Sequence, residues 1–143
     1  MSVLFQSITN SFALELLQAI HDFTGDTFKL ALYTSDATND ETLAAYTTTN
    51  EVSGTGYTAG GEVLTTVAPV FSNGVAYPDF ADLTFSALTV SDIRSGVIYN
   101  SSKANRTVCV LDFGRSISKT AQDFVVRFPT ADPTSAIIRV KVA

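Results

Sequence analysis

A chain of 143 residues with a formal charge of −5, 45% apolar and 16% charged, fits a single domain, 1–143, able to bury about two thirds of its unfolded surface. Its charge falls below the roughly 25% of ordinary soluble domains, and the acidic sign excludes binding by phosphate neutralisation, so nucleic acid is not an expected partner. The single Cys109 excludes an internal disulfide and the single His21 excludes paired-histidine zinc patterns; with no run of about 18 apolar residues and no basic N-terminal start, neither a membrane span nor a cleaved signal is expected.

Taken in chain order, residues 1–24 form a helical segment. Phe5, Ile8, Phe12, Leu16, Ala19, Ile20 and Phe23 recur at three- and four-residue steps and give one apolar stripe. Asn10 or Ser11 serves as a late cap, or Ser2 region as an early start, and Thr24-Gly25-Asp26 ends the helix. From residue 27 the period becomes two: TFKLALYT is a strand with Phe28, Leu30 and Leu32 on one face. Residues 35–61 are polar, glycine-dotted and without alternation, which predicts a long loop of the kind usually kept for function or ordered by a partner.

EVLTTVAPVF, a turn at Ser72-Asn73-Gly74, VAY and DLTFSAL then read as strands, with Asn73-Gly74 the strongest hairpin signal. SGVIYN and TVCVLDF form a second hairpin around SSKANR, DFVVRF follows, and AIIRVKV closes the chain after the Pro129–Pro133 break. About eight short strands with one N-terminal amphipathic helix predict a mainly β fold, an antiparallel β-sandwich or jelly roll over 27–142. Charge divides along this order: residues 1–93 carry eleven acids and one base, Lys29, whereas 94–143 carry three acids and eight bases. Folding either interleaves the two sets or leaves acidic and basic faces for neighbouring subunits.

The chemical motifs are weak. His21 and Asp22 are adjacent, so on a helix they point about 100° apart and make no oriented catalytic pair. Asp112-Phe113-Gly114 lacks the rest of a kinase, and Gly54, Gly56, Gly60 and Gly61 fit no phosphate-binding spacing and read as a flexible loop. Asp36, Asn39, Asp40 and Glu41 lack the alternate-position pattern of a calcium loop, and Asp79 and Asp82 read as turn residues rather than a glycosidase pair. Asn100 and Asn105 stand in glycosylation sequons that carry no weight without a secretory signal. Cys109, alternating with apolar neighbours, reads as a core residue. No enzymatic activity, metal or cofactor is expected. Tyr46 and Tyr57, amphipathic rings in a charge-poor loop, are candidate interface residues, as are Val3, Leu4 and Phe5 at the N-terminus.

KLALYTSDAT, YTTTNEVSGTGYTAGGEVL, VIYNSSKANRTVCVLDFG and DFVVRFPTADPTSAIIRV together resemble a family of small structural proteins of tailed bacteriophage virions whose members include capsid cement, or decoration, proteins. The resemblance spans about Phe28 to Val140, with Val63 to Val90 less distinctive. It implies a jelly-roll-like module without enzymatic role, on the capsid exterior, partnered by the major capsid protein and by itself as a dimer or trimer. A neck or tail component, and a carbohydrate- or receptor-binding β-sandwich presenting tyrosine platforms, are the alternatives.

Overall fold

The computed structural model describes residues 5–142, and the fold is mainly β, with eight strands and one helix among them. The strands are β1 (Phe5–Ile8), β2 (Phe28–Tyr33), β3 (Glu62–Val63), β4 (Thr66–Ser72), β5 (Val75–Phe80), β6 (Leu83–Asn100), β7 (Arg106–Val126) and β8 (Val140–Lys141); α1 is Asn10–Leu17. They form two antiparallel sheets, a five-stranded one in the order β1-β7-β6-β2-β3 and a three-stranded one in the order β4-β5-β8.

The N-terminal helix is much shorter than its apolar stripe predicts. Phe5 to Ile8 form an edge strand instead, in register with Asp112 to Cys109 of β7. Thr9, not Asn10 or Ser11, is the cap: its buried side chain accepts from the Phe12 N–H at 3.3 Å and from the Thr107 hydroxyl at 3.1 Å. The helix stops at Gln18, before Thr24, and Ala19 turns to φ 58°. A three- and four-residue period survives this because Phe12 and Phe23 still reach the same core, Phe23 by a stretch of non-helical chain.

The predicted strands DLTFSAL and SGVIYN are one strand, β6, and TVCVLDF and DFVVRF are one strand, β7. Sequence alternation breaks inside them because the ladder shifts register at several points between Phe85 and Ser95. Ala87, Asp92, Gly114 and Ala121 take positive φ there, the mark of bulges that absorb an extra residue and bend the hairpin without ending it. Asp112-Phe113-Gly114 therefore lies in mid-strand rather than at a strand end, and Asp112 holds Arg94 at 3.4 Å. Conversely, AIIRVKV is mostly not strand: only Val140–Lys141 pair with β5, while Ala136, Ile137 and Ile138 are buried as irregular chain.

The main core lies between the five-stranded sheet and the elements covering it, and is rich in phenylalanine. Phe28 stacks on Phe23 with centroids 4.7 Å apart, and Phe113 meets Phe124 edge-on at 5.5 Å. Cys109, Leu111 and Phe113 share this core, as their alternation predicts. On the other face of the sheet, Ala31, Tyr33, Val97 and Tyr99 form a second cluster beneath the long loop.

Candidate interaction surface

The loop from Ser35 to Gly61 has little regular structure, yet it is tied down along its length. Tyr33, Tyr46, Tyr57 and Tyr99, four of the five tyrosines, converge on it. Glu51 stands at the centre, its Oε2 accepting the Tyr46 hydroxyl at 2.6 Å and its Oε1 accepting both the Tyr57 hydroxyl at 2.6 Å and the Gly60 N–H at 2.7 Å. Tyr57 in turn accepts the Leu32 N–H of β2, Tyr33 donates to the Thr47 carbonyl and Tyr99 donates to the Gly60 carbonyl, both at 2.7 Å. Burial beside this carboxylate disfavours the phenolates. It pushes Tyr99 up to about 12 and raises Tyr33, Tyr46 and Tyr57 further.

Tyr46 and Tyr57 thus have intramolecular partners. Tyr46 stacks on Tyr99 at 4.7 Å, Tyr57 packs against the main core beside Phe85, and both rings are half-buried. Of the N-terminal candidates, Val3 and Leu4 lie outside the described residues, and the Phe5 backbone belongs to edge strand β1.

The glycines of the loop are packing devices, contrary to the flexible reading. A Cβ on Gly61, at φ +75°, would stand 1.7 Å from the Leu30 carbonyl oxygen, and one on Gly54 2.2 Å from that of Thr89. Only a residue without a side chain lets this loop lie on β2 and β6. Asp40 is likewise committed locally, accepting the N–H and hydroxyl of Thr42, which hold its carboxyl below the usual range.

A second polar cluster, which the one-dimensional reading missed, lies under α1. His21 is buried in the chain after the helix, not on it, and its carboxylate neighbour is Glu15 rather than Asp22. Glu15 Oε2 lies 3.4 Å from His21 Nε2 and 3.0 Å from Arg106 Nη1. His21 Nδ1 is 3.1 Å from Asn100 Nδ2, which donates to Asp26 Oδ2 at 2.7 Å. Desolvation lowers the His21 pKa against the pull of Glu15 and Asp26, and keeps the ring neutral. With Phe28 stacked on His21 and Phe12 tilted against it, the cluster secures the helix to the β6–β7 turn. Asn100, wholly buried here, cannot serve as a glycan acceptor.

These contacts also answer the charge division in part. Glu15 and Asp26 from the acidic stretch pair with Arg106 and Lys103 from the basic one, so the two sets interleave at this end. Arg115, Lys119, Arg127, Arg139 and Lys141 have no carboxylate within ion-pair distance among the described residues.

Apart from Leu14 and Leu17 on α1, the exposed large apolar side chains lie mostly on the small sheet. Val67, Val70 and Phe71 of β4 are exposed, as are Val140 of β8 and Val142 just after it. Beside them a cleft of about 420 Å³ opens between Ile8, Val75, Ile137 and the cations Arg139 and Lys141. An open β-surface with uncovered apolar residues can contribute binding energy when a neighbour removes it from water. No family model, curated protein or solved structure matches the chain.

Proposed function

We propose that this protein is a non-enzymatic structural protein of a tailed-bacteriophage virion. Within that class, the reading favoured is a capsid decoration protein that binds across junctions of the major capsid protein on the exterior of the head. The observation that carries it is the resemblance of four segments over most of Phe28 to Val140 to that family. The uncovered apolar strands of the small sheet support it, because a low-charge chain that keeps Phe71 and several valines in water presents surface for a neighbour to cover.

The physical action is linkage. A protein that binds the assembled lattice and not its dissociated subunits stabilises the lattice by mass action. Many copies turn modest contacts into reinforcement, and a multivalent copy bridging capsomers gains from high effective concentration.

The carbohydrate-binding alternative needs aromatic platforms facing solvent. Tyr33, Tyr77 and Tyr99 are buried and Tyr46 and Tyr57 are engaged with Glu51, which weighs against that role. Adding purified protein to expanded capsids that lack it tests the proposal. Saturable binding with a gain in heat or osmotic resistance supports a decoration role; binding only to neck or tail structures moves the protein within the virion class.

A further inference from the structure

We infer that the groove where the two sheets meet is a docking site for an acidic, extended segment of a partner protein, whose carboxylates meet Arg139 and Lys141 and whose apolar side chains meet the groove floor. The cleft of about 420 Å³ beside Ile8 runs on into a second of about 540 Å³ toward the Asn73 turn, and the two share Val75, Pro133, Arg139 and Lys141. The floor is apolar: Ile8 at the rim is 41% exposed, and Val75 and Ile137 lie at the base, each 5% exposed. The two cations are uncommitted, since neither has a carboxylate within ion-pair distance among the described residues.

Arg139 donates one Nη1 bond to the Thr134 carbonyl, which fixes the guanidinium and leaves its other N–H groups for a carboxylate. Asp132 is the one acid on the described lining, and its Oδ1 already accepts the Thr134 N–H and hydroxyl at 2.7 and 2.8 Å and the Ser135 N–H at 2.7 Å. The groove therefore keeps a positive balance within a chain of formal charge −5. That sign selects an anionic partner and repels a basic one. The apolar floor favours a protein segment over a nucleic acid, whose affinity grows with the number of phosphates neutralised and which finds two cations here.

The backbone points the same way. β1 and β8 stand at the ends of their sheets' strand orders, so each has one side without a strand neighbour among the described residues. Lys141 lies opposite Val75, and the next pair, Val142 with Gly74, is joined by the Val142 N–H at 2.7 Å. Successive residues of an antiparallel ladder turn their N–H and C=O to opposite sides, so those of Lys141 face away from β5, toward the free edge. An extended segment laid along that edge gains main-chain hydrogen bonds, and its side chains on the groove side meet the floor and the cations together.

The inference goes beyond the capsid reading and does not depend on it. The probe is the peptide Asp-Val-Leu-Asp-Val-Asp, blocked at both ends and carrying a fluorophore, which sets an acid and an apolar residue on either face of an extended strand. Titrated into the full chain at low salt, it should bind saturably with Kd below about 100 μM, and at least about fivefold more weakly at about 0.5 M salt, where exposed ion pairs are screened. Replacing its aspartates by asparagine, or combining Arg139→Gln with Lys141→Gln, should weaken binding at least about tenfold. Arg115→Gln, on a β7 cation equally without an ion pair, should not. Binding should also slow hydrogen exchange at the Lys141 amide, which charge attraction alone does not do. Melting curves select variants that keep the parental fold; Lys141→Gln alone, on an exposed side chain, is the safeguard, with a weakening of about threefold. No saturable binding, equal binding of the asparagine peptide, unchanged Lys141 exchange in the complex, or indifference to the folded variants overturns the inference. Tighter binding of a short single-stranded oligonucleotide overturns it too and assigns the cations to phosphate. Peptide binding by a chain that binds no virion structure leaves the groove assigned and refutes the capsid reading.

Discussion

Replacing Glu51 by alanine removes the acceptor on which the long loop is fastened. The carboxylate receives three short bonds, from Tyr46, Tyr57 and the Gly60 N–H. Bonds to a charged acceptor are worth about 1.5–3 kcal/mol each, but Glu51 is half-buried and water will partly replace it, so the expected loss is about 3–4 kcal/mol rather than the sum. For a domain of this size that is about 10 °C in midpoint temperature. Urea titration with tyrosine fluorescence measures the free energy, and hydrogen exchange at Leu32 N–H, which donates to Tyr57, reports whether the loop has lifted. A loss below about 1 kcal/mol with unchanged exchange at Leu32 would refute the claim that this carboxylate holds the loop.

Gly61, His21 and the buried tyrosines each give a further expected outcome. Gly61→Ala should cost about 3 kcal/mol or more, or prevent folding, because its Cβ meets the Leu30 carbonyl in a positive-φ conformation; a stable, soluble variant with parental melting would contradict the close approach. Since the His21 pKa is lowered on folding, the unfolded chain takes up the proton first, and stability should be full above pH 6.5 and decline as pH falls below it; a flat stability profile between pH 7 and pH 5 would contradict the buried neutral ring. The tyrosines are raised, so the sign reverses: their contribution is present below pH 10 and lost above it, and a spectrophotometric titration should show at least three phenols ionising only with unfolding.

Periodicity was enough to read the β class, the Asn73-Gly74 turn, the β6–β7 turn and the core face of Cys109, Leu111 and Phe113, because each depends on neighbours in sequence. The extent of the helix was not legible. Phe5 and Ile8 fit a helical stripe equally well, and only pairing with β7, more than a hundred residues away, makes them a strand. The unity of β6 and of β7 was hidden by bulges, which shift the alternation that a strand is read by. The Glu51 cluster was half visible: Tyr46 and Tyr57 drew attention as amphipathic rings, but the partner that draws them inward sits between them in sequence as an ordinary loop acid. Glu15 and His21 gave less, since they stand six positions apart and the turn after α1 brings them together.

The proposed role of this chain is reinforcement of an assembled phage head. Particles assembled without it, then mixed with the purified protein, test this most directly when binding and survival of heat or osmotic shock are followed together. Saturable binding to expanded capsids, none to free capsid subunits, and a rise in survival that tracks occupancy are expected. Absence of binding to any virion structure, with survival unchanged at saturating protein, would contradict that role.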